Sequence, residues 1–239
     1  MSLVWVDGTL VDKNDARVSV FDHAFLFGDG VFGGLRLYGG TLFRPADHFV
    51  RLFATADAVA LTVPLSADEL TAAILATAAA NGRTDGYVRV TVTRGAGTLG
   101  TDPRKCSPLV VIVAEDVVPY PRELLAHGLD VVTLPAPPGP RLKTLSYQPT
   151  VLAKAAALRA GCLEAILVAA NGEAVGGVET NLFAVADGAL VTPPVSMNVF
   201  PGVTRAVVIE LAAGLGVPVV ERPIRGTELK SVAELFLTS

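Results

Sequence analysis

The stretch SADELTAAILATAAANGRTDGYVRVTVTR, residues 66–94, changes its period halfway along, and that change decides the fold class. Ser66-Ala67-Asp68-Glu69 has the spacing of a capping box, in which Ser66 and Glu69 satisfy each other's backbone N–H groups. An Ala-rich helix follows, and Gly82 closes it. From Tyr87 to Arg94 the period is two. Val88, Val90 and Val92 face a core, while Tyr87, Arg89, Thr91 and Thr93 share the opposite face.

The same alternation extends outward. Asp7-Gly8 and Gly39-Gly40 are hairpin turns between apolar runs, and a helix is predicted over about 46–60 with Phe49, Leu52, Phe53, Ala56 and Ala60 on one face. Residues 115–141 carry several prolines and read as a crossing between domains, with a strand over 129–134 inside it. A helix over about 150–161, turns at Asn171-Gly172 and Asp187-Gly188, a helix from Pro201 to near Gly214 and a strand over 217–221 complete the chain. The expectation is an α/β fold with an α+β N-terminal part: a domain over 1–114, a linker over 115–128 and a second domain over 129–239, with a cleft between them.

Composition narrows the function. The chain has 239 residues, is 51% hydrophobic and 18% charged, and carries a formal net charge of -4. It can bury a substantial core, and its interspersed charges offer nucleic acid no basic face. Two cysteines make no disulfide framework and suit a reducing cytosol, three histidines at unrelated spacings make no metal site, and no apolar run approaches a membrane span. The N-terminus lacks the basic start of a signal peptide. A cytoplasmic protein using an organic cofactor, or none, is expected.

Of the five lysines, Lys143 has the setting that suits chemistry: it stands in Arg141-Leu142-Lys143-Thr144-Leu145-Ser146-Tyr147, past the Pro-rich crossing. Apolar neighbours disfavour the ammonium form and free the amine to attack a carbonyl, although a snorkelling lysine reads the same way. Gly202-Val203-Thr204 at a helix start offers unpaired N–H groups and a hydroxyl to an anion, or plain capping. Arg51 could reach a phosphate or make a surface ion pair. Tyr87 and Arg89 could clamp a carboxylate or simply share a strand face. Gly28-Asp29-Gly30-Val31-Phe32-Gly33 matches a dinucleotide fingerprint in spacing, but its surroundings read as strand rather than as a turn opening a helix, which rules that reading out.

Taken together, these residues resemble the class IV pyridoxal-phosphate enzymes: branched-chain aminotransferases, D-amino-acid aminotransferases and aminodeoxychorismate lyases. The resemblance runs in order from Phe21-Asp22-His23 and Phe27-Gly28-Asp29-Gly30-Val31-Phe32-Gly33-Gly34-Leu35-Arg36 through Asp47-His48-Phe49-Val50-Arg51-Leu52 and Tyr87-Val88-Arg89. It continues through Thr93-Arg94-Gly95, Asp102-Pro103-Arg104-Lys105-Cys106, Lys143-Thr144-Leu145-Ser146-Tyr147, Thr180-Asn181-Leu182-Phe183, Gly202-Val203-Thr204-Arg205 and Glu234-Leu235-Phe236-Leu237-Thr238-Ser239. It implies a two-domain fold type IV enzyme, a homodimer, with Lys143 holding pyridoxal 5′-phosphate as an internal aldimine and later moving the substrate α-proton. By the same resemblance Arg51, the backbone of Val203 and Thr204 and the Thr204 hydroxyl hold the phosphate, with Ser239 at its cup. Tyr147 meets the ring hydroxyl, and Phe27, Phe32, Arg36, Tyr87 and Arg89 line the substrate pocket.

The 93–106 segments look most like the branched-chain aminotransferases, and no Arg-x-His pair begins near Leu99 as it does in the D-amino-acid enzymes. Transamination between a small, branched-chain-like amino acid and a 2-oxo acid is therefore the expected reaction. Release of pyruvate from aminodeoxychorismate stays open through the Lys143-Thr144-Leu145 wording. A weakened cofactor-binding relative stays open through the departures. Phe27 replaces a tyrosine and Gly33 a glutamate. Gly176 stands where the family sets a glutamate against the pyridine nitrogen, and Glu179 is the candidate substitute. Family members continue past Ser239, so the resemblance implies a C-terminal domain that is cut short.

Overall fold

The computed structural model describes residues 2–118, 120–139 and 141–239. The chain divides into two compact units: Met1–Pro119 with Lys143–Tyr147, and Tyr120–Leu142 with Gln148–Ser239. The short Lys143 segment thus folds with the first unit, away from its neighbours in sequence.

The first unit is built on one antiparallel sheet of six strands: β1 (Leu3–Val6), β2 (Thr9–Asp12), β3 (Gly30–Tyr38), β4 (Thr41–Leu42), β5 (Gly86–Ala96) and β6 (Ser107–Glu115), in the order β2-β1-β6-β5-β3-β4. Two helices, α2 (Pro45–Ala58) and α3 (Ala67–Ala80), cover one face; a third, α1 (His23–Phe27), precedes β3. The alternation in β5 works as its sequence requires. Val88, Val90 and Val92 are buried with Val31, Leu35 and Leu37 of β3 against Phe49, Leu52 and Ala56 of α2 and Leu70, Ile74 and Ala78 of α3. The capping box at Ser66 forms, with Glu69 returning to the Ser66 backbone at 2.8 Å, and Gly82 turns left-handed at φ 64°. The face of β3 and β5 opposite these helices carries the alternate residues: Phe32 lies opposite Thr91, Gly34 opposite Arg89 and Arg36 opposite Tyr87.

The second unit holds α4 (Arg122–His127), β7 (Val131–Pro135), α5 (Gln148–Arg159), β8 (Glu164–Val168), β9 (Ala174–Gly177), β10 (Asn181–Ala186), β11 (Ala189–Thr192), α6 (Val203–Gly214), β12 (Val219–Glu221) and β13 (Glu234–Thr238). One sheet runs β12-β11-β10-β13 and another β7-β8-β9, with parallel pairs at β11–β12 and β7–β8. Ala157 of α5 packs into Ala165, Leu167 and Val175, and Ala212 of α6 into Phe183 and Leu190. The strand expected from 217 begins at Val219, and α1 and α4 were not expected: at five and six residues they are too short to show a helical period. No helix among the described residues is long and apolar enough to cross a membrane, and no group of His, Cys, Asp and Glu among them could hold a metal ion.

Candidate active site

In the first unit, residues 143–147 lie along β3 like a short extra strand. Phe32 donates its backbone N–H to Lys143 O at 3.0 Å, Leu145 donates to Gly30 O at 2.8 Å, and Val31 and Thr144 form a bridge. Ser146 Oγ adds a bond to Gly28 O at 3.1 Å. This backbone pairing sets Lys143 beside Phe32, on the face of β3 and β5 opposite the helices. Its Nζ donates to the Tyr147 hydroxyl at 3.4 Å and stands 4.7 Å from the centre of the Phe32 ring. The Arg89 guanidinium lies 3.8 Å from the same ring centre, and Tyr147 meets Phe32 edge-on at 5.2 Å. One aromatic ring therefore touches two cations and a phenol, an arrangement in which ring faces offset the charge of the cations. Tyr87 packs over Gly34 so closely that a Cβ there would lie 2.2 Å from its hydroxyl. Any side chain at 34 would have to displace the Tyr87 ring.

Arg51, on α2, lies within electrostatic reach of Tyr147 and Tyr87. Its partial burial lowers the guanidinium pKa from the ordinary value, while the Tyr147 and Tyr87 phenols act in the opposite direction. One of its nitrogens, Nη2, lies 3.3 Å from His48 Nδ1. Burial, Arg51 and Lys143 push the His48 imidazole down to about 4, against an upward pull from Asp47. Arg36 stands across the strands from Tyr87. Phe27 is half-exposed at the end of α1 and packs edge-on against His23 at 5.0 Å.

The 28–30 backbone that carries Lys143's segment is itself clamped. Buried Arg94 grips Asp29 with two bonds, Nε–Oδ2 at 2.8 Å and Nη2–Oδ1 at 3.0 Å, and also reaches Val59 O at 2.7 Å and Ala60 O.

In the second unit, α6 begins at Gly202 without a side-chain cap, so the first-turn N–H groups, those of Val203 and Thr204 among them, have neither an intrahelical acceptor nor a side-chain cap from Gly202. A Cβ at Gly202 would fall 2.1 Å from Asn181 Oδ1, which makes the entry a close-fitting cradle. Asn181 Nδ2 donates to Phe200 O at 2.7 Å, Thr204 Oγ1 donates to Ser239 O at 2.9 Å, and Asn181 pairs with Thr238 in the sheet. Thr238 Oγ1 is buried there with no partner. Backbone amides at a helix start and an orphaned hydroxyl make a set that fits a phosphate ester. Gly176 adopts φ 125°, and a Cβ there would lie 2.7 Å from Thr180 O, so the backbone leaves no room for an acidic side chain. Glu179 is exposed in the turn between β9 and β10.

The sequence reading singles out Lys143, Tyr147, Phe32, Arg89, Tyr87 and Arg51, and the first unit brings these together. It misses His48 as a site residue, although the i, i+3 spacing of His48 and Arg51 is visible. It also misses Glu164, whose buried Oε1 accepts from Ala165 N at 2.8 Å and Val178 N at 3.1 Å and so holds the turn after β9.

Known proteins resemble this chain in sequence and fold. A family profile, amino-transferase class IV, matches residues 30–239. Over 242 residues the chain is 41% identical to a protein of Methanocaldococcus jannaschii provisionally named a branched-chain-amino-acid aminotransferase, covering 98% of this chain and 83% of that one. The crystal structure of the Escherichia coli branched-chain amino acid aminotransferase superposes with a TM-score of 0.94 at 32% identity, over 100% of this chain and 83% of that one. A branched-chain amino acid aminotransferase of T.th., crystallised with pyridoxamine 5′-phosphate, superposes with a TM-score of 0.92 at 30% identity, over 100% of this chain and 82% of that one.

Proposed function

The chain belongs to the class IV aminotransferases, which pass an amino group between an amino acid and a 2-oxo acid with the help of pyridoxal phosphate, and from that premise we propose the roles of its residues. Its relatives favour transamination over pyruvate elimination. The observation that carries the assignment is Lys143 Nζ, held between the Tyr147 hydroxyl and the Phe32 ring.

Bound pyridoxal phosphate supplies an aldehyde that takes up the amino group and a conjugated ring that spreads the charge left on the α-carbon. Lys143 is the group that anchors it and then carries the proton from the substrate α-carbon. Tyr147 keeps the Lys143 amine aimed and bonds the ring hydroxyl. Arg51, the Val203 and Thr204 amides, the Thr204 hydroxyl and Ser239 take the phosphate. Phe32, Arg36, Tyr87 and Arg89, with Phe27, receive the amino acid. The mixed lining of aromatic rings and guanidinium groups suits a small apolar side chain of the branched-chain type together with a carboxylate. Glu179, three residues past Gly176, is the carboxylate we assign to the ring nitrogen.

We further propose a homodimer in the cytosol. Phe25 and Leu99 are 72% and 71% exposed, and Val20 and Phe21 near Phe25 are also exposed, which a second copy would cover. Cys106 and Cys162 are free thiols, as a reducing compartment allows.

The test is the visible absorption of the protein with pyridoxal phosphate, before and after L-leucine or L-glutamate. Lys143→Ala should abolish both the lysine-dependent band and amino transfer while the fold persists. Undiminished transamination in that variant refutes the assignment. A band that no amino donor alters refutes the branched-chain substrate.

A further inference from the structure

The geometry points to His48 as a positioning residue: we propose that its neutral imidazole accepts one arm of Arg51 and thereby sets the orientation in which the guanidinium meets phosphate. This rests on the reading above that Arg51 binds the phosphate.

The argument begins with hydrogen-bond chemistry. A guanidinium has donors only, so the 3.3 Å contact between Arg51 Nη2 and His48 Nδ1 requires a lone pair on Nδ1. The imidazole is then neutral and carries its proton on Nε2. The two residues share a face of α2 by their i, i+3 spacing. The helix backbone is held at that point by Thr55 Oγ1, which donates to Arg51 O at 2.8 Å.

The surroundings keep the ring neutral. The charged groups that face it are Arg51 and Asp47 on its own helix and Lys143 from the 143–147 segment; Asp47 is in turn 3.6 Å from Arg44. Two cations and burial oppose a third positive charge, and only Asp47 favours one. A phosphate monoester loses its second proton near about pH 6, so the imidazole is already neutral throughout the range in which the ligand is a dianion.

Neutrality is what distinguishes this pair. Buried Arg94 meets Asp29 at 2.8 Å and buried Arg205 meets Glu221 at 2.6 Å, and each carboxylate cancels its partner's charge. An imidazole orients a guanidinium without cancelling it. The His48 contact adds no opposing charge to Arg51, and it leaves Arg51 fewer rotamers to lose when the anion arrives.

The experiment compares affinity for pyridoxal phosphate with affinity for pyridoxal, which lacks the phosphate, in the wild type, His48→Leu, His48→Asn and Arg51→Gln. His48→Leu removes the acceptor. It should weaken pyridoxal phosphate about tenfold, close to 1.4 kcal/mol, and leave pyridoxal unchanged. His48→Asn offers Oδ1 in place of Nδ1 and should restore affinity to within about threefold. Equal weakening of both ligands in His48→Leu would mean a merely structural residue and overturn the proposal, as would an Asn variant no better than Leu. If Arg51→Gln keeps the preference for pyridoxal phosphate, the reading of Arg51 itself falls. If Arg51→Gln loses it while His48→Leu does not, only the positioning role falls. A further readout needs no variant that folds poorly: histidine 15N shifts of the wild type should give the Nε2–H tautomer for His48 near neutral pH, and a proton on Nδ1 would overturn the proposal.

Discussion

Arg94 is the strongest test of how the site is supported. Its side chain is only 8% exposed and makes four bonds: two to Asp29 and one each to the carbonyls of Val59 and Ala60. Arg94 N also donates to Asp29 O at 3.0 Å. Replacing Arg94 with methionine keeps most of the stem and removes the fork. A single bond to a charged group contributes about 1.5–3 kcal/mol, which summed over four would exceed what a partly hydrated site loses. Asp29 is 27% exposed and can regain water, so the expected loss is near the lower part of the about 3–5 kcal/mol typical of a broken buried pair. Arg94→Lys supplies a charge but no fork and should lose roughly half as much.

Trp5 makes the measurement selective. It is the only tryptophan and packs against the core of the first unit, so its fluorescence in urea follows that unit. A two-unit chain need not unfold in one step, and the probe avoids assigning a global free energy to it. Functional damage should accompany the loss, because the clamped 28–30 backbone carries Ser146 and Leu145. Cofactor binding should weaken in Arg94→Met even where the protein remains folded. A shift in the transition worth less than about 1 kcal/mol would refute the reasoning, since it would mean that the four bonds add nothing over water.

Three other outcomes are expected. Gly34→Ala places a Cβ 2.2 Å from the Tyr87 hydroxyl and must turn that ring away, so steady-state kinetics should show KM for the amino donor rising about tenfold with a smaller change in kcat. Gly176→Glu should cost about 1–3 kcal/mol in thermal or urea unfolding and give no gain in rate, because φ 125° and the nearby Thr180 carbonyl exclude the side chain; a stable, faster variant would contradict this. Protonation of His48 is disfavoured in the folded chain, with its value down at about 4 from an ordinary 6.5, so the unfolded chain takes up the proton first. Its contribution is complete above 6.5 and is lost as pH falls from there toward 4; His48→Asn should show a flatter loss of stability over that window in urea titrations.

Much of this was legible because it is local. The turn at Asp7-Gly8 joins β1 to β2, that at Gly39-Gly40 joins β3 to β4, and those at Asn171-Gly172 and Asp187-Gly188 join β8 to β9 and β10 to β11. The capping box, the valine alternation of β5 and the start of α6 at Gly202 are equally short-range signals. The ordered motifs around Lys143, Asn181 and Thr204 were enough to imply the family, and the relatives bear that out.

A one-dimensional pattern reports which face a side chain occupies and leaves open what it meets there. That Phe32 is shared by Arg89 and Lys143 follows from the register of β3 against β5 and from the pairing of Thr144 with Val31, contacts far apart in sequence. That Arg51 rests on an imidazole, while Arg94 meets a carboxylate, depends on which side chains burial brings to each guanidinium. Gly176 looked like a missing acid in the sequence. Its backbone angle and the approach of Thr180 O, set by the sheet around it, make it a position that only glycine fills without strain.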